Sequence, residues 1–275
     1  MPQKIIDAHC HIYPEKIAER AVQSVDAFYD HLPCPHWNGT AGELVRTGRE
    51  AGISHFIVFS VATSAHQVSS INHFIARAVA DSDGCMTGLG AMHLESDDFA
   101  RDLAEIEELG LKGVKLHPDI QKFDADDPRA MEIYRLCEGR MPIVIHAGDH
   151  RYAYSSPEKL EHVLRTFPGL QLVCAHMGGW SIWEEAARRL APYPNVLVDC
   201  SSSLYWLSRD TARRVIDMYG AGRVLFGTDY PFWPQKAEVD KLMQLGLSQE
   251  ALEDIFWRNC ARLYHLNGGE DRDER

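Results

Sequence analysis

Near the start of the chain, the stretch Ile5-Ile6-Asp7-Ala8-His9-Cys10-His11-Ile12 reads as a buried strand that carries a carboxylate and two imidazoles at alternate positions. Side chains alternate across a strand, so the spacing predicts Asp7, His9 and His11 on one face. His9 and His11 are then about 7 Å apart at Cα, close enough for two rings to converge on one ion. Packing gives an apolar strand no reason to hold two histidines on a single face, whereas metal ligation does. Similar residues recur where later apolar runs end: Lys115 and His117, then His146, His176 and Asp229. Imidazoles and a carboxylate in one place suit zinc first and also accept manganese, iron or cobalt. Such a cation lowers the pKa of bound water and polarises a carbonyl, and a carboxylate beside it can take the water's proton.

Residues this far apart meet only if the fold gathers them. Apolar runs at 5–12, 53–61, 85–92, 111–117, 142–146, 170–176, 196–200 and 224–227 predict eight strands. Between and after them, residues 14–29, 41–51, 66–80, 97–109, 128–138, 157–166, 182–190, 209–219, 235–245 and 249–264 predict helices. Eight strands alternating with helices is the element order of an α/β fold of the (β/α)8, or TIM-barrel, type. In that fold the C-terminal strand ends form one rim, which is where the polar residues fall. The expectation is one domain over residues 1–266, with an extra C-terminal helix, and a charged, glycine-rich disordered tail at 267–275. An open doubly wound sheet is the competing fold, but no Gly-x-Gly-x-x-Gly follows the first strand. The Pro- and aromatic-rich loop 31–40 and the loop 148–156 would wall the rim.

The net charge of −12, from 28 basic and 40 acidic residues, argues against nucleic acid or an anionic membrane as partner and says nothing about a small substrate, the partner that the rim cluster suggests. No apolar run is long enough for a membrane span, and the first strand begins without a leader. Seven scattered cysteines with no Cys-x-x-Cys read as free thiols in a reducing compartment, so the expected location is cytoplasmic.

The motifs Asp7-Ala-His9-Cys-His11, Ile143-Val-Ile-His146-Ala-Gly, Ala175-His176-Met-Gly-Gly and Phe226-Gly-Thr-Asp229-Tyr-Pro-Phe, in this order, resemble the amidohydrolase superfamily. More narrowly they resemble its branch that includes aminocarboxymuconate-semialdehyde decarboxylase and the resorcylate-type decarboxylases, as does the closing Asn259-Cys-Ala-Arg-Leu263. The resemblance implies His9, His11 and His146 as metal ligands. It implies Asp229 as a fourth ligand or as the group that holds metal-bound water and takes its proton. His176 would be an acid/base or orienting group beside the metal, and Asp7 a supporting one. A homodimer is the assembly the resemblance suggests; the sequence itself does not fix it.

Lys115 has three readings: an amine for a substrate carboxylate, a carboxylated bridge between two metals as in some amidohydrolases, or no role in the site. His117 either lines the pocket or caps the strand end. Arg151 either meets an anionic substrate or is a solvated loop charge. Trp180, Trp183, Tyr205, Trp206, Phe232 and Trp233 read as packing residues, with Trp233 placed to bound the pocket. Ser201-Ser-Ser203 has no partner for nucleophilic catalysis, and the other histidines default to surface or capping roles. The leading expectation is hydrolysis of a small amide, lactone or ester by metal-activated water. The alternative is non-oxidative decarboxylation of an aromatic or unsaturated acid, and a third reading is a metal-binding barrel without catalysis. Resorcylate-type members often carry an acid in place of the first histidine, so His9 leans away from that subgroup.

Overall fold

The computed structural model describes residue 2, residues 4–33 and residues 37–266. The tail expected at 267–275 and Cys34, Pro35 and His36 of the loop lie outside the described residues. The strands are β1 (Ile6–His11), β2 (His55–Phe59), β3 (Met86–Gly88), β4 (Gly90–Ala91), β5 (Val114–Leu116), β6 (Ile143–Ile145), β7 (Leu172–Cys174), β8 (Val196–Asp199) and β9 (Val224–Leu225). All pairings are parallel and follow chain order. The third expected strand is split at Leu89 into β3, which pairs with β2, and β4, which pairs with β5. A Cβ on Gly90 would lie 2.4 Å from Ile106, so only glycine lets the helix Phe99–Glu108 pack this close. The ends meet where Ala8 N–H donates to Phe226 O (2.8 Å) and Asp229 N–H to His9 O (2.9 Å), and this closes the TIM barrel.

Alternation sorts the strand residues into two layers. Ile57, Phe59, Val144, Val173 and Leu225 point inward, into the cluster that also holds Ile6, Ala8, Cys260, Leu263 and Tyr264. The C-terminal segment therefore plugs the N-terminal end of the barrel. Phe56, Val58, Val114, Leu116, Ile143, Ile145, Leu172 and Cys174 point outward, into the larger core beneath the helices. By the same alternation Lys115 and Asp199, in register with Val144 and Leu225, point inward.

In β1 the alternation fails. Its register with β2 shifts between Asp7 and Cys10. Ile6 and Ala8 face the inner cluster, while Cys10 and Ile12 face the outer core. The face predicted for Asp7, His9 and His11 is thus corrected: the irregularity parts Asp7 from the two histidines. Asp7 instead ties the barrel shut, accepting from Thr228 N–H (2.9 Å), the Thr228 hydroxyl and His9 N–H (3.2 Å). Burial lifts its carboxyl to about 6.

Among the described residues no helix is long and apolar enough to cross a membrane, and the six described cysteines are unpaired.

Candidate metal centre

The rim gathers the predicted residues around a cavity of about 460 Å³, a size typical of small-molecule sites. His9, His11, Lys115, His117, His146, His176 and Asp229 all line it. Arg151 and Trp233 do not. Arg151 binds Asp149 (2.7 Å) and Asp30 (2.9 Å) and donates to Phe28 O, so its charge is spent tying the end of the helix Glu15–Phe28 to the loop after β6. Trp233 is buried and donates to Ser202 Oγ (2.6 Å). Trp180 and Phe232, expected to pack, reach the cavity wall.

Three predicted ligands come together. Asp229 Oδ1 lies 3.4 Å from His9 Nε2 and 3.5 Å from His11 Nε2, and the three donor atoms fall within 4.8 Å of one another. Donors held tetrahedrally at zinc-like bond lengths stand about 3.4 Å apart, so this triad fits a divalent ion. Burial, and after it the charge of Lys115, pushes both histidines well below the usual imidazole range, leaving them in the neutral form that binds metal. His11 Nδ1 is buried without a hydrogen-bond partner. Gly227 makes room for the triad, because a Cβ there would sit 2.9 Å from His9 Cβ.

Asp229 is held from behind. Its Oδ2 accepts from Ser202, whose hydroxyl in turn receives the Trp233 indole. Asp229, Ser202 and His176 all adopt left-handed backbone at φ 61°, 48° and 58°, a strain that tends to collect at functional sites. Burial raises the Asp229 carboxyl to about 6 and lowers His176 to about 4.

His146 stands one step away. It groups with His117 and Asp119 rather than with the triad. Its Nδ1 is 3.1 Å from His176 Nε2, and its Nε2 lies 3.6 Å from Asp119 Oδ2 without a hydrogen bond. The rings of His117 and His146 stack at 4.0 Å and 8°. His117 does both things the sequence allowed: it lines the cavity, and its Nδ1 caps the short helix Pro118–Gln121 by accepting from Ile120 N–H (3.2 Å). Its Nε2 meets the Tyr29 hydroxyl at 3.1 Å. Lys115 is 1% exposed, with Nζ 3.4 Å from His9 Nε2 and 4.8 Å from the centre of the Phe59 ring. Burial lowers its amine to about 8. Other histidines make local bonds, His55 with Thr87 and His162 with Asp126.

Sequence reasoning passed over Asp199, whose Oδ2 lies 2.8 Å from His9 Nδ1. The signal was present: Val-Leu-Val-Asp ends a strand on a carboxylate at the same rim. It also passed over Tyr29 and Asp119, which no motif marks, and weighed Ser202 only as a nucleophile.

A parallel barrel with an imidazole and carboxylate cluster at its C-terminal rim defines a TIM-barrel protein with a candidate metal centre. The chain matches the amidohydrolase family (Amidohydro_2) over residues 6–266 and belongs to it, as the sequence motifs led us to expect. Among solved structures it is similar to an uncharacterized TIM-barrel protein from Bordetella bronchiseptica, at 23% identity over 94% of this chain and 98% of that one (TM-score 0.78). It is also similar to 5-carboxyvanillate decarboxylase from Novosphingobium aromaticivorans, complexed with manganese and 4-hydroxy-3-methoxy-5-nitrobenzoic acid (16% identity, 96% of each chain, TM-score 0.77). A third is a probable 2-pyrone-4,6-dicarboxylic acid hydrolase from Acinetobacter baumannii (14% identity, 96% of this chain and 100% of that one, TM-score 0.68). At these identities the likeness establishes the fold; the reaction has to be argued from the site.

Proposed function

We propose that this protein is a metal-dependent decarboxylase that releases carbon dioxide from an aromatic or unsaturated carboxylic acid without an oxidant. The observation that carries the reading is how charge is divided in the cavity. Its floor holds the buried Lys115 ammonium, which makes no ion pair within 4 Å among the described residues, beside the His9, His11 and Asp229 triad. Its walls include Val25, Ile71, Phe74, Phe232 and Trp180. Such a site suits a molecule with an apolar body and an anionic head. The likeness to a manganese-bound carboxyvanillate decarboxylase supports the same choice and moves decarboxylation ahead of hydrolysis, which the sequence put first.

His9, His11 and Asp229 would hold the ion, with His146 as a further donor through its unpaired Nε2. When bound, the ion supplies a fixed positive charge that polarises a carboxylate or phenolate. Lys115 draws in the substrate carboxylate, and the apolar walls hold the ring and exclude water. The bond between ring and carboxyl carbon breaks and its electron pair stays on the ring carbon. A proton from Asp229 takes up that pair as carbon dioxide leaves. In the metal-free chain burial lifts this carboxyl to about 6, and a positioned carboxyl is a usual proton carrier. His176 steadies His146. The donor set suits zinc, and manganese is the ion in the similar decarboxylase, so both should be tested.

Hydrolysis is the second reading, favoured by Asp229 standing where it could take a proton from water and by the likeness to a probable pyrone-dicarboxylic acid hydrolase. The test is to load the protein with zinc or manganese and offer hydroxybenzoic and carboxyvanillic acids alongside lactones, esters and amides. Metal-dependent release of carbon dioxide is expected. Acid–alcohol or acid–amine products alone would transfer the assignment to hydrolysis. Saturable metal binding with no turnover on either panel would favour a non-catalytic barrel.

A further inference from the structure

Asp199, at the end of β8, is buried and makes more hydrogen bonds than any role in a metal triad requires. Its Oδ2 lies 2.8 Å from His9 Nδ1. Its Oδ1 accepts from His176 N–H (3.2 Å), Ser201 N–H (3.1 Å) and the Ser201 hydroxyl. A carboxylate oxygen accepts, so His9 carries its proton on Nδ1, which leaves Nε2 unprotonated and able to accept from Lys115 Nζ at 3.4 Å.

The turn that Asp199 pins does the same for a second ring. His176 Nδ1 lies 3.1 Å from Ser201 O, and a carbonyl only accepts, so this nitrogen too bears the proton. The Ser201 hydroxyl has given its one hydrogen to Asp199, so at its 2.9 Å contact it accepts from the same Nδ1–H. His176 Nε2 is therefore bare, and at 3.1 Å it can only accept from His146 Nδ1. His146 Nε2 is bare in turn. It stands 3.6 Å from Asp119 Oδ2, beyond hydrogen-bond reach, and has no other partner.

We propose that Asp199 is a positioning residue that holds His9 in its Nδ1–H tautomer and pins the Ser201 turn that fixes His176 and, through it, His146. Both His9 and His146 thereby keep Nε2 unprotonated, as an ion requires. The purpose of those bare nitrogens rests on the metal reading above, whereas the tautomers rest on their own bonds.

Asp199→Asn separates the two halves of the device. The two backbone N–H groups keep the amide oxygen on the Ser201 side, so the amide NH2 faces His9. It then demands an acceptor at Nδ1, and His9 is forced to carry its proton on Nε2. Affinity for Zn2+ and Mn2+, measured by chelator competition on the full chain, should fall roughly 10–100-fold, the cost typical of removing a carboxylate that supports a ligating histidine. In Ser201→Ala the backbone carbonyl remains, so affinity should stay within about threefold of the parent. Tautomers are read independently from 15N chemical shifts of labelled histidines in the metal-stripped chain, assigned by single substitutions. His9, His176 and His146 should all be Nδ1–H in the parent, and His9 alone should switch in Asp199→Asn. An Nε2–H tautomer at any of the three in the parent overturns the proposal even if the variant fails to fold. Unchanged affinity in a folded Asp199→Asn overturns it as well. If the parent binds neither ion, the metal reading fails while the tautomer spectrum still decides this one.

Discussion

Two groups of histidines share one rim and are built differently. Around Asp229, the Nε2 atoms of His9 and His11 stand 3.4 and 3.5 Å from a shared oxygen, and the two rings are tilted by 50° at 5.3 Å. Around Asp119, the rings of His117 and His146 lie flat on each other, and both His117 nitrogens are occupied by Ile120 and Tyr29. The first arrangement leaves lone pairs converging on a point. The second uses a histidine as a cap and a stacking surface. Residue type is the same in both, so the difference lies in what the ring nitrogens meet: His9 Nδ1 meets Asp199 and His11 Nδ1 has no hydrogen-bond partner, whereas both His117 nitrogens are taken.

The comparison breaks most sharply at His11. His11→Ala removes one of three converging donors, so tight metal binding and turnover should both vanish while circular dichroism stays that of the parent. Metal content after gel filtration checks this, and retention at the parent level would move the centre elsewhere. Asp229→Asn keeps a weaker donor but loses the proton carrier. A fall in kcat of about 10²–10⁴-fold is expected with part of the metal retained, and near-normal turnover would exclude Asp229 from proton transfer.

Lys115→Met should lower kcat/KM for the acid substrate about 30-fold or more, as removal of one member of a buried charge pair usually does. It should also act on stability in the metal-free protein. Burial depresses the Lys115 amine from 10.5 to about 8, so between those values the unfolded chain binds more protons than the folded one. Stability therefore carries a penalty of about 3 kcal/mol below pH 8 that is relieved as the pH rises toward 10.5. The variant should lack this relief, and urea titrations at pH 7.5 and 10 compare the two slopes.

The smallest effect belongs to the second group. His117→Asn keeps a capping side chain and loses the Tyr29 bond and the stacking, so it should cost about 1–2 kcal/mol of stability and leave metal affinity within a few-fold. A metal loss as large as that of His11→Ala would erase the distinction between the groups.

Much of this was legible in the sequence because a barrel makes position along a strand equivalent to depth in the site. Eight apolar runs gave the strands, and the polar residues at their ends gave His9, His11, Lys115, His117, His146, His176 and Asp229 as one rim. What failed were features that depend on local irregularity. Strict alternation put Asp7 with His9 and His11, but a shift of register in β1 separates them. Arg151 read as a free rim cation although Asp149, which it grips, stands two positions away; its other partners, Asp30 and Phe28 O, lie more than a hundred positions off. Asp199 was missed because a lone acid at a strand end carries no motif, although its place on the rim matched that of residues the motifs did mark.

The Asp7–Thr228 tie joins groups 221 positions apart. During synthesis, at a typical 5–20 residues per second, His9 and His11 would precede Asp229 by roughly 10–40 s. For that interval the nascent chain offers two imidazoles without the Asp229 carboxylate that meets both in the closed barrel. On the proposed reading, selective metal loading would belong to the period after the barrel has closed, and the ion would reflect the supply available to the finished fold rather than to the growing chain.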